Sequence, residues 1–298
     1  MEHVKLLIVG AGAAGLSAAL SAWDAGCRDI LLADRSAIPG GVLPQCIHRG
    51  FGLTSFGEEL SGPEYAERLL SALAGTGVRM LLETEILSVS DDKTAVLSRR
   101  GCVSRVRFER LILASGCREK SIGALPVAGT RPAGIFTAGQ AQEMINLRHQ
   151  DLGREVLILG SGDLGMIMAR RFSLEGKHVI AVLEQGETYG GMARNYHRCM
   201  EAYHIPLCCR MTVREIHGQG RISGVTAEHL DSGEREYIAC DTLVTALGLI
   251  PERALVQGLE ASPWLSLAGN CCRVHDIVDS AAAQAQHVGH EVGTALNV

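Results

Sequence analysis

Apolar positions along the chain fall into two alternating patterns. Short runs of strand length, Lys5-Leu6-Leu7-Ile8-Val9 and Glu155-Val156-Leu157-Ile158-Leu159, each meet a glycine turn and then a stretch rich in Ala or Met. Those stretches predict helices over about Ala13 to Ala25 and Asp163 to Glu175. A second apolar run follows each helix, at residues 30–33 and 179–183. Strand, helix, strand is the unit of a parallel sheet with right-handed crossovers, and the chain contains it twice.

After each unit the pattern switches to alternation, which reads as short antiparallel strands. Residues 83–89, 94–98 and 103–108 predict one meander, and 211–216, 222–230 and 236–238 a second. Each leads to an apolar strand closing on small residues, Leu111-Ile112-Leu113-Ala114-Ser115-Gly116 and Leu243-Val244-Thr245-Ala246-Leu247-Gly248. The repeat therefore extends beyond the glycines. It predicts an α/β fold with two Rossmann-like dinucleotide-binding domains of the ββα type, built from parallel sheets and antiparallel β-meanders. One domain, residues 117–246, is expected as an insert in the other, residues 1–116 and 247–298.

The turns carry candidate chemistry. Gly10-Ala11-Gly12-Ala13-Ala14-Gly15 and Gly160-Ser161-Gly162-Asp163-Leu164-Gly165 both read G-x-G-x-x-G between strand and helix. In this spacing the first glycine permits the tight turn, the second lets backbone N–H groups approach a pyrophosphate, and the third lets helix pack on strand. The helix N-terminus then faces the phosphates with its partial positive charge. An acid stands about 20 residues on, at the end of the next strand: Asp34, followed by Arg35, and Glu184. Either carboxylate can accept hydrogen bonds from adenosine ribose hydroxyls. An NADP site places a cation there, so Glu184 favours NAD.

Composition narrows the partners. The 298 residues carry a formal charge of -5, with 47% apolar and 20% charged side chains. No basic stripe suggests nucleic acid as a partner. The N-terminus lacks a basic region followed by a long apolar stretch, and no apolar run has the length of a membrane span. Ten scattered cysteines read as reduced thiols, and a cytoplasmic location is expected. Their spacing supports no metal site.

On these residues the chain resembles the two-dinucleotide-domain flavoproteins of the pyridine nucleotide–disulfide oxidoreductase class, of thioredoxin reductase size. The resemblance runs from about Val4 to His290 and includes Gly40-Gly41, the Ala114-Ser115-Gly116 turn, Gly248 and Leu267-Ala268-Gly269-Asn270. It implies FAD at the first turn and a nicotinamide nucleotide at the second, with Gln45, Gly269 and Asn270 among the flavin contacts. Family members carry Gly-Asp where this chain has Gly269-Asn270, and the stretch from Ile250 to Leu267 is shorter than the family pattern. The segments Gly40 to Leu53, Glu59 to Tyr65 and His275 to Asp279 resemble more narrowly the flavoprotein partners of glycerol-3-phosphate-dehydrogenase-like proteins. They resemble less closely the flavin subunits of opine dehydrogenase and hydrogen cyanide synthase. The broader resemblance implies hydride transfer between nicotinamide and flavin N5 with domain rotation, and the narrower one implies electron delivery to a redox partner protein. Direction of flow and oligomeric state stay open, a homodimer among the options.

No C-x-x-C occurs, so disulfide reduction by thiol exchange is disfavoured. Cys46 follows the flavin-side glycines, and His48 could stabilise its thiolate. A buried thiol without redox function is the competing reading. Cys271-Cys272 and Cys208-Cys209 read as packing and strand residues. His275 and Asp276 are expected to begin the last helix, with His275 a proton-donor candidate. Ser61 reads as a helix cap with Pro63 in the first turn.

Overall fold

Five parallel strands form the centre of the first unit: Arg79–Leu81, Ile30–Ala33, Glu2–Val9, Cys102–Leu113 and Leu265–Leu267, in that order across the sheet. This computed structural model describes residues 1–297. The first unit comprises Met1–Arg118 with Ile250–Val298, and the second is Glu119–Leu249. One face of the first sheet, through Leu6, Ile8, Leu32 and Ile112, packs on the helices Ala13–Asp24, Gly62–Ala74 and Val278–Leu296. The other, through Leu7, Leu31, Leu111 and Leu113, packs under the meander and Trp264. Each such fully buried side chain contributes about 1.5–3 kcal/mol.

Residues 103–108 and 111–113, expected as separate strands, form one, Cys102–Leu113. The cause is pairing that continues across the polar Glu109-Arg110 step, with Val106 and Phe108 buried before it beside exposed Arg105 and Arg107, and Leu111, Ile112 and Leu113 buried after it. The early part pairs antiparallel with Thr94–Arg99, and the later part parallel with Glu2–Val9. The short segment before Leu267 supplies the fifth strand, Leu265 aligning with Leu111. Trp264 braces it against Phe108, ring centres 5.3 Å apart.

The second unit repeats the order: Leu207–Cys209, His178–Glu184, Glu155–Leu159, Thr242–Thr245 and Ile135–Thr137, again all parallel. Val156, Ile158, Val182 and Val244 face the helices, including Asp163–Leu174. Leu157, Leu159, Leu183 and Leu243 face the meander Met211–Gly218, Ile222–His229 and Arg235–Ala239. Here the meander belongs to a separate sheet, because the chain turns at Cys240-Asp241 before Thr242. The Asp241 carboxylate accepts the Arg154 and Glu155 N–H groups at 3.0 and 3.2 Å, which ties that turn to the start of the central strand.

The last helix begins at Val278, three residues later than the expected start at His275. The His275 N–H donates to Asn270 Oδ1 at 3.0 Å, which holds it in a turn, and Ile277 is extended. The helix lies close on Ala13–Asp24. A Cβ at Gly289 would meet the Ala18 carbonyl oxygen at 2.3 Å, and one at Gly293 would meet that of Ala22 at 2.6 Å.

Candidate dinucleotide-binding sites

Both glycine turns leave their strand in the same conformation. Gly10 has φ +106° and Gly160 φ +104°, a region where side chains are strained. A Cβ at Gly10 would lie 2.4 Å from the Ala114 carbonyl oxygen, and one at Gly160 2.3 Å from that of Ala246. Packing forces the third glycine of each set as well. A Cβ at Gly15 or Gly165 would sit 1.7 or 2.2 Å from the carbonyl oxygen of Gly10 or Gly160.

The middle glycines differ. A Cβ at Gly12 would meet only Gly41 Cα, at 3.7 Å, and one at Gly162 would meet nothing within 4 Å. The fold itself does not require either to be glycine, and each leaves room for a close approach to its backbone. The helices behind them, starting at Ala13 and Asp163, have no side-chain cap. Elsewhere Ser61 and Glu64 form a full capping box at Gly62–Ala74, and Thr137 caps Ala138–Asn146. Uncapped first-turn N–H groups behind a small residue fit a diphosphate at each turn.

The acids stand where expected. Asp34 Oδ2 accepts the Ala11 N–H at 2.6 Å and Oδ1 the Ser36 N–H at 2.7 Å. Glu184, the last residue of its strand, accepts the Ser161 N–H at 2.9 Å, the Ser161 hydroxyl at 2.5 Å and the Gly186 N–H at 2.9 Å. Burial pushes the Glu184 carboxyl up. The Ser161 hydroxyl and the Gly186, Ser161 and Gln185 backbone outweigh it, so the carboxyl sits below its ordinary value.

A glycine pair covers each turn. Gly40 donates to the Ala11 carbonyl at 2.7 Å, and Gly41 lies over Gly12. The sequence reading missed the second pair, Gly190-Gly191, although it stands six residues past Glu184 as Gly40 stands six past Asp34. Gly190 donates to the Ser161 hydroxyl at 2.8 Å. Asp163 spends its carboxylate on the chain, accepting the Met192 N–H and the Asn195 side-chain amide, each at 2.7 Å. Beside this segment Tyr189 and Tyr196 stack at 4.5 Å.

The remaining candidates divide. Ala114 ends its strand with its N–H on the Val9 carbonyl, and Ser115 donates to the Glu252 carbonyl at 2.6 Å. Gly116 and Gly248 have open space where a Cβ would stand. Ala14 is close enough to Gly269 that a Cβ there would lie 2.4 Å from its own. Gln45 closes a 3-10 turn, and Arg35 is exposed. Asn270 turns its amide inward, its Oδ1 to His275 and its Nδ2 to Cys117 Sγ at 3.6 Å.

The thiolate reading of Cys46 meets opposition. Although the residue is part exposed, its thiol is enclosed, and burial pushes it up to about 12. His48 approaches the Arg49 carbonyl and tilts against Phe51, ring centres 5.0 Å apart. Cys271 is fully buried, its thiol on the Leu113 carbonyl at 2.9 Å. His275 Nε2 is buried without a hydrogen-bond partner among the described residues. Burial and neighbouring Arg273 lower its pKa, which keeps the ring neutral near pH 7. Asp279, 5% exposed, has a role that the sequence pattern leaves unassigned. Its carboxylate accepts the Gly52 N–H at 3.1 Å and the Ser55 N–H at 2.8 Å, tying the loop after Phe51 to the last helix. No cluster of three or more metal-ligating side chains occurs among the described residues.

Two parallel-sheet units, each with an open glycine turn and a strand-end acid, are the arrangement of a fold with two dinucleotide-type turns. Residues 4–266 match the model for pyridine nucleotide-disulphide oxidoreductases, and the chain belongs to that family. FAD and a nicotinamide nucleotide are expected for the family. Hydrogen cyanide synthase subunit HcnB of Pseudomonas aeruginosa is 26% identical over 285 residues, covering 86% of this chain and 59% of that protein. An opine oxidase subunit of Agrobacterium tumefaciens is 25% identical over 279 residues, covering 85% of this chain and 54% of that protein. This chain thus spans little more than half of either relative. The thioredoxin reductase of T. acidophilum has the same fold, with a TM-score of 0.80, 20% identity and 99% of both chains covered. No described helix is long and apolar enough to cross a membrane.

Proposed function

We propose that the chain binds FAD at the turn of residues 10–15 and NAD(H) at that of residues 160–165, and moves a hydride between them. The bound cofactors supply the redox chemistry; the chain binds them, orients them and fixes the charges around them. The observation that carries this reading is the pair of middle glycines, open to ligand where their neighbours are locked by packing. Glu184 supports NAD over NADP, because an anchored carboxylate at the strand end repels a 2′-phosphate. Anaerobic titration of the purified protein tests it. A yellow protein bleached by NADH at far lower concentration than NADPH is expected; a colourless protein that FAD cannot reconstitute overturns it.

A second reading makes the chain an electron-transfer component of a larger dehydrogenase, of the glycerol-3-phosphate or opine type, with little turnover alone. Two observations favour it: both relatives above are named as subunits, and Val42, Ile47 and Leu53 stand 67%, 44% and 50% exposed beside the Gly40-Gly41 turn. Full NADH turnover with a simple dye by the isolated chain would count against it. Turnover only after a second flavoprotein co-purifies would establish it.

A further inference from the structure

We propose that Ser161 is a positioning residue, holding Glu184 toward the ribose so that the second site selects NAD(H) over NADP(H). This rests on the reading of residues 160–165 as the nicotinamide turn. Ser161 is 0% exposed, and a buried hydroxyl must find partners. It donates to Glu184 Oε2 at 2.5 Å and accepts the Gly190 N–H at 2.8 Å, while its own N–H reaches the same carboxylate oxygen at 2.9 Å.

The first unit shows that the fold does not demand this arrangement. There the matching residue is Ala11, whose backbone N–H alone meets Asp34, and whose carbonyl takes the Gly40 N–H. The Ser161 hydroxyl therefore does two things that Ala11 cannot. It adds a charge-assisted hydrogen bond to the acid, and it ties the acid to the covering glycine pair. A carboxylate anchored by both groups cannot swing away from an incoming 2′-phosphate, and its lowered pKa resists neutralisation by protonation. Ribose hydroxyls, which donate, meet it in place.

Dissociation constants for NADH and NADPH, measured with the FAD-loaded protein, test the assignment in four proteins: wild type, S161A, E184Q and the double variant. With a hydrogen bond to a charged group at stake, S161A is expected to weaken NADH about tenfold and to lower the NADH-to-NADPH preference by a similar factor. The same substitution on the E184Q background is expected to change neither constant more than about twofold, because Ser161 acts through the carboxylate. S161C, nearly isosteric but a weak donor, should fall between and covers the case in which S161A fails to fold. Equal affinity of the wild type for both nucleotides would overturn the NAD reading itself. A wild type that prefers NADH, with S161A unchanged or with an equal loss on both backgrounds, would overturn the role of Ser161 alone.

Discussion

The first unit runs its meander into its parallel sheet through the single strand Cys102–Leu113, whereas the second breaks the chain at Cys240-Asp241 and sets its meander in a separate sheet. The strand order and the turn geometry are nonetheless the same in both. At each turn the first glycine avoids a carbonyl from the fourth strand of the order, Ala114 or Ala246, and the third avoids the first. What the two copies share is thus the turn proposed to take a phosphate, and what they vary lies on the far face of the sheet. They differ also in how the acid is held, by backbone alone at Asp34 and with a side-chain hydroxyl at Glu184.

Substitutions at matched positions can break or sharpen that likeness. The largest effect is expected at the third glycines. G15A and G165A each drive a methyl into a backbone carbonyl oxygen that cannot move aside, which places them at the upper end of the about 1–3 kcal/mol that overpacking costs. Thermal melts should fall for both, with FAD lost from G15A and the NADH response lost from G165A. Next, Asp279→Ala leaves the buried Gly52 N–H without its acceptor, at about 1–3 kcal/mol, and frees the part-buried Ser55 N–H at a smaller cost. Faster proteolysis between Phe51 and Ser55 would report the released loop. G162A should melt within about 0.5 kcal/mol of the wild type, since its methyl has room, yet weaken NADH tenfold or more. An unchanged NADH affinity would refute the phosphate reading of the second turn.

Two smaller effects complete the series. Cys46→Ala should leave anaerobic reduction by NADH within about twofold, because a thiol pushed up to about 12 is no thiolate at neutral pH. Glu184 titrates below its ordinary value of 4.5 in the folded state. Its contribution to stability is therefore complete above that value and is lost as pH falls through the lowered folded value. Acid melts of E184Q against the wild type should converge only at the acid end; divergence confined to alkaline pH would contradict the assignment.

Much of this architecture is legible along the chain. The runs Leu6 to Val9 and Val156 to Leu159 announce buried strands, and the glycine spacing announces the turns, because both depend on local period and local sterics. Cys102–Leu113 reads as split at residues 109 and 110, where polar residues interrupt the pattern but the pairing continues on both sides. The start of the last helix is misplaced by the pattern because an Asn270 side chain, not a local propensity, holds His275 outside it. Asp279 and Ser161 act through partners distant in sequence, Gly52 and Ser55 for one and Glu184 and Gly190 for the other. Such pairings leave no period to read. The Gly190-Gly191 pair does leave a signal, in its offset from the acid, once the first unit is used as a ruler.

The vacancy around Gly162 has a consequence for descent. Because folding places no demand on that position, a lineage that stopped using the second nucleotide could replace the glycine without losing the protein, while the glycines on either side would persist for steric reasons. In chains of this architecture, a larger residue at the middle position between two retained glycines would mark a site that has fallen out of use.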